Sequence, residues 1–163
     1  MALWPVEASP DQVPTYGVPH MFRQLTDSIL ASPQISLADL DKAKALGVGL
    51  VINNRPEGES DDQVPGAEIE AAARARGMDY VAIPVTHAGF SGPQVEAMTA
   101  ALAKSKGKVL AYCRSGTRST LLWALAQASD GADLEQVTAQ AAAAGYDVTP
   151  VRPLMDMLKA RHG

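Results

Sequence analysis

Three short apolar runs, VGLVINN (48–54), YVAIPV (80–85) and KVLAYC (108–113), are separated by polar loops and by stretches of helical pattern. Runs of this length, rich in β-branched residues and without alternation of polarity, suit strands covered on both faces. Strands that alternate with helices pair in parallel through right-handed crossovers, which puts helices on both sides of the sheet. The chain is therefore expected to fold as three-layer α/β/α with a mainly parallel sheet. In sheets of this kind sites form outside the carboxyl ends of the strands, and the third run delivers Cys113 to such an end.

The helices between these runs carry local start and stop signals. In QISLADLDKAKALG, Ser36 is placed as N-cap with Asp39 three residues on, Ile35 and Leu40 form a hydrophobic staple, and Gly47 marks the stop. A second helix is expected from 67 to 76, stopped by Gly77, and a third after Ser91, with Gln94 completing a capping box and Phe90 and Val95 as staple. RSTLLWALAQA is expected as a helix beginning directly after the cysteine loop, and 133–144 and 151–161 also read as helical, with Pro150 and Pro153 at their breaks or starts. Trp123, among Leu121, Leu122 and Leu125, reads as helix packing rather than as a substrate platform. Residues 1–20, with prolines at 5, 10, 14 and 19 and no apolar period, are expected to be an irregular arm, and 21–163 a single domain.

Several classes of function are disfavoured. No apolar run approaches the ~20 residues of a membrane span, and the first residues lack a basic, apolar leader pattern, so a cytoplasmic protein without membrane partners is expected. The formal net charge of −4, without a basic stripe, argues against nucleic-acid binding. One cysteine forms no intrachain disulfide, and three scattered histidines give no metal cluster, so neither metal nor cofactor is expected.

A lone cysteine ending a strand is ordinarily a small core residue. Here YCRSGTRST (112–120) sets two arginines, a glycine and three hydroxyls within six residues of Cys113, at a strand-to-helix junction. A helix N-terminus presents unpaired amides and partial positive charge, which bind anions and favour thiolate over thiol. Cys113 is thus expected to be the nucleophile, and Arg118 the clamp on an anion. Arg114, Ser115, Gly116, Thr117 and Ser119 supply charge, amides and hydroxyls to the anion site, with the Ser119 hydroxyl expected to reach the sulfur.

YCRSGTRS resembles the active loop of rhodanese-type sulfurtransferases, with four residues between Cys113 and Arg118. The wider pattern VINNRPEGES, YVAIPV, GF, QVEAM and VLAYCRSGTRS, over residues 21–128, resembles the phosphatase-like domain family of beta-lactamase hydrolase-like proteins, within the dual-specificity phosphatase fold superfamily. That resemblance implies four or five strands between helices, with the loop from Cys113 to Arg118 as anion cradle. The chain departs from the phosphatase pattern in having Tyr112 rather than histidine before Cys113, four rather than five residues before the arginine, and no acid in PVTHAGFSG.

Without an acid to protonate an alkoxide, ester cleavage loses a term of about 10²–10⁴-fold, whereas departing sulfite needs no proton. The favoured expectation is therefore a sulfurtransferase that moves sulfane sulfur from thiosulfate or a small persulfide to a thiol acceptor through a Cys113 persulfide. A phosphatase acting on a phosphate ester through phosphocysteine at Cys113 is the alternative, and a non-catalytic anion-binding or thiol-sensing module a third. His87 is an accessory candidate for the missing acid, or simply a solvated loop residue. Arg55 either adds positive charge at the rim or pairs with Glu57 or Glu59, and Asp61 and Asp62 read as a solvated turn.

Overall fold

The computed structural model describes residues 21–162, so the arm expected over 1–20 lies outside the described residues. Five strands form one sheet: β1 (Arg23–Thr26), β2 (Ile29–Ser32), β3 (Val48–Asn53), β4 (Asp79–Ala82) and β5 (Lys108–Tyr112). Their spatial order is β1-β2-β5-β3-β4. β2 and β3 flank β5, both parallel to it, β4 pairs in parallel with β3, and only the β1–β2 hairpin is antiparallel. The mainly parallel three-layer expectation holds.

Alternation along the strands divides the core in two. Leu30, Val51 and Leu110 face α1 (Leu37–Ala45) and α2 (Gly66–Ala75), where Leu40, Ala43, Ile69 and Ala73 meet them. Ala31, Ile52 and Ala111 face α3 (Gly92–Lys104) and α4 (Thr117–Ser129). α4 is also covered by α5 (Leu134–Ala143) and α6 (Arg152–His162), so it is buried almost all round and Trp123 is core. A 3₁₀ turn at Thr149–Val151 precedes α6. Among the described residues no helix is long and apolar enough to cross a membrane.

The local signals place the helices well. Ser36 caps α1 through a full capping box, and Gln94 accepts the Ser91 N–H ahead of α3 at 2.8 Å. Two strand features differ from expectation. The hairpin β1–β2 has strands of four residues each, too short to show a period. The run expected over 80–85 ends as strand at Ala82, because Pro84 has no N–H for the ladder. Ile83 and Val85 still donate to the carbonyls of Asn53 and Asn54, each at 2.9 Å, and so pin the following loop beside the end of β5.

Candidate active site

β5 ends at Tyr112, Cys113 follows it, and Gly116 is the N-cap of α4 in a left-handed conformation, φ 92°. That turn folds the loop back on the thiol, and the Gly116 N–H donates to Cys113 Sγ at 3.1 Å. Cys113 is fully buried under the loop. The Thr117 N–H goes to Ser115 Oγ at 3.3 Å and Ser115 Oγ donates to Thr117 Oγ1 at 3.0 Å, so these two hydroxyls organise the turn. The remaining first-turn amides of α4, on Arg118 and Ser119, have no intrahelical acceptor.

Arg118 is gripped on one edge only. Nη1 donates to Glu59 Oε2 at 2.7 Å and to the Val85 carbonyl at 2.8 Å, while Nη2 donates to Glu59 Oε1 at 2.9 Å. Three of the five guanidinium N–H donors are thereby taken, leaving Nε–H and one Nη2–H as a second fork. Hydrogen bonding to Glu59 raises the Arg118 pKa, and the neighbouring Cys113 adds to that effect. The guanidinium thus lies close enough to Cys113 for the two groups to interact.

Glu59 is itself held from two sides. The Arg118 hydrogen bonds, and secondarily those of Arg55, bring its carboxyl down to about 2 against the cost of burial. Arg55 is buried: Nε donates to Glu59 Oε1 at 2.9 Å, Nη1 to Gln34 Oε1 at 2.9 Å and Nη2 to Ser60 Oγ at 3.0 Å. Of the two expectations for Arg55, pairing with Glu59 is the one realised, and the guanidinium adds no exposed charge at the rim. It supports the carboxylate that supports Arg118.

Ser119 departs from expectation. Its side chain is buried and its hydroxyl donates to Asn54 Oδ1 at 2.7 Å, not to the sulfur. Asn54 in turn donates from Nδ2 to the Ile83 carbonyl at 2.9 Å, so Ser119 ties α4 to the end of β3 and the 83–85 segment. The chain order places the hydroxyl next to the arginine, but α4 points it at the sheet.

Above the loop lies a cleft of about 390 Å³ lined by Pro56, Glu59, Thr86, His87, Arg114 and Arg118. Arg114 and His87 are exposed at its rim. A larger cleft of about 480 Å³, between the β1–β2 turn and the end of α3, is lined by no cationic side chain and lies away from the cysteine. The chemistry therefore points to the smaller one. Asp61 and Asp62 are exposed, as expected of a solvated turn, and Ser60 Oγ donates to Asp62 at 2.6 Å. No cluster of three or more metal-ligating side chains occurs among the described residues. Glu59, considered from sequence only as a partner for Arg55, is the functional residue most underrated there, because its bond to Arg118 spans 59 positions.

Because the folded-state pKa of Glu59 is depressed, its contribution to stability is complete above the ordinary value of 4.5 and is lost as pH falls towards 2. Glu59→Gln should therefore melt at lower temperature at pH 7 and show a shallower decline through that acid window. Thermal melts of both proteins across the window check this, and parallel acid profiles would contradict the pairing.

The family model for the beta-lactamase hydrolase-like protein, phosphatase-like domain, matches residues 21–130. A beta-lactamase hydrolase-like protein of Agrobacterium fabrum is 33% identical over 108 residues, which is 66% of this chain and 25% of that protein. The chain thus spans about a quarter of the length of that curated relative. A crystal structure of a candidate phosphatase from Neisseria meningitidis superposes with TM-score 0.74 at 29% identity, covering 88% of this chain and 99% of that one. PTPMT1 in complex with PI(5)P superposes with TM-score 0.67 at 13% identity over 88% of this chain and 99% of that one, which shows the shared phosphatase fold alone.

Proposed function

The chain belongs to the phosphatase-like domain family of beta-lactamase hydrolase-like proteins, and on that premise we propose that it hydrolyses phosphate monoesters through a phosphocysteine at Cys113. The observation that carries this reading is the Arg118 guanidinium, near Cys113 and held by Glu59 and the Val85 carbonyl with its Nε–H and one Nη2–H unspent. A phosphoryl group in transfer spreads charge over its equatorial oxygens, which a fixed planar fork and first-turn amides meet without reorganisation. The Cys113 thiolate attacks phosphorus as the ester P–O bond breaks, and the electron pair leaves on the alcohol oxygen. Water then attacks phosphorus, the P–S bond breaks, and inorganic phosphate departs with the thiolate restored. The family match and the phosphatase neighbours support phosphate rather than sulfur as the transferred group, which reverses the order of preference reached from the loop alone.

Leaving-group protonation is the weak point of the site. Glu59 is ionised and bound to two arginines, and 84–91 contains no acid, leaving His87 as the titratable side chain at the cleft without a carboxylate's role. Aryl phosphates, whose phenols leave without much protonation, should therefore be cleaved about 10²–10⁴-fold faster than alkyl phosphates. His87→Asn should leave the aryl rate nearly unchanged. The same observation keeps sulfur transfer as a second reading, since sulfite leaves unprotonated. Steady-state assays with aryl phosphate, alkyl phosphate and thiosulfate separate the readings: Cys113-dependent consumption of thiosulfate without aryl phosphate hydrolysis would replace phosphatase by sulfurtransferase.

A further inference from the structure

Tyr146 lies in the turn between α5 and the 3₁₀ segment, outside the span matched by the family model. Its hydroxyl donates to the Ser115 carbonyl at 3.2 Å. That carbonyl belongs to the same peptide unit as the Gly116 N–H, which donates to Cys113 Sγ. In a planar trans peptide the two groups point in opposite directions, so holding the oxygen towards Tyr146 aims the hydrogen at the sulfur. Gly116 cannot fix this plane by itself, because glycine tolerates both signs of φ. The ring also closes the glycine from outside: a Cβ on Gly116 would run into the Tyr146 hydroxyl.

Tyr146 is placed firmly. The Gly145 and Tyr146 amides close α5 onto the carbonyls of Ala142 at 3.0 Å and Ala141 at 2.9 Å, and Arg23 Nη1 from β1 donates to the Ala144 carbonyl at 2.9 Å. Burial pushes the Tyr146 phenol above the ordinary tyrosine value, with Arg23 opposing and the Cys113 charge adding, so the hydroxyl stays protonated and able to donate.

We propose that Tyr146 is a positioning residue for the nucleophile, fixing the Ser115–Gly116 peptide so that its amide stabilises the Cys113 thiolate. This rests on Cys113 being the nucleophile and not on the identity of the substrate. Because Cys113 is the sole cysteine and is fully buried, its ionisation is best followed by the ultraviolet absorbance of the thiolate, which needs no reagent to reach it. Each protein is titrated against a blank in which Cys113 is replaced by serine, so tyrosine ionisation cancels. Tyr146→Phe keeps the ring on Gly116 and removes only the hydroxyl. The thiolate midpoint should move up by about half to one pH unit, a roughly three- to tenfold shift matching one hydrogen bond. An unchanged midpoint overturns the proposal, and does so equally if the melting temperature falls, since that is what a purely structural tyrosine would give. The titration uses no substrate, so a shifted midpoint in a protein inactive on phosphate esters would reject the phosphatase reading while leaving the role of Tyr146 intact.

Discussion

Arg118→Lys should lower kcat/KM for an aryl phosphate by about 10²–10³-fold, the usual cost of removing one preorganised donor from a transition-state anion. The exchange keeps the charge but removes the geometry. Arg118 gives three donors to Glu59 and Val85 and still has a two-hydrogen fork for substrate. A lysine ammonium has three donors in all, radiating from one nitrogen, so it cannot satisfy those acceptors and clamp two phosphoryl oxygens at once. The fold should persist, because one cation still faces Glu59. Measured kinetics close to the parent protein, with the parent melting temperature, would remove Arg118 from the site.

The second large effect is expected at Gly116. Its φ of 92° lies in the left-handed region, where a Cβ costs roughly 1–2 kcal/mol, and that Cβ would meet the Tyr146 hydroxyl and, at 3.2 Å, the Ser32 backbone carbon. Relief requires the loop to shift, taking the Gly116 amide away from Cys113. Gly116→Ala should therefore melt several degrees lower and lose about 10²-fold in turnover, as a displacement of about 1 Å at a reacting group commonly does. A variant that loses stability but not turnover would show that the amide contact to Sγ is incidental.

What was legible in the sequence was what is local. The capping signals at Ser36 and Ser91, the buried runs of β3 and β5, and the junction that makes Cys113 and Arg118 neighbours all act within a few residues. The β1–β2 hairpin was not legible, because strands of four residues show no usable period and β2 is defined by pairing with β5 about 80 positions away. The partners of the site are equally non-local. Glu59 reaches Arg118 from the β3–α2 loop, and Tyr146 reaches Ser115 from beyond α5. Ser119 shows the converse error: proximity in the chain suggested the sulfur, while the turn of α4 gave its hydroxyl to Asn54. The missing acid pointed to sulfur chemistry from the sequence, yet it describes the leaving group's needs and not the nucleophile's target.

Phosphate ester hydrolysis by this route requires Cys113 to accept a phosphoryl group. Acid-quenched intact mass spectrometry, after millisecond mixing with an aryl phosphate and separately with thiosulfate, tests it directly. The parent protein should carry one phosphoryl that Cys113→Ser lacks, and should show no lasting sulfur adduct from thiosulfate. A persulfide on Cys113 after thiosulfate, with no phosphoryl adduct from the aryl ester, would contradict it.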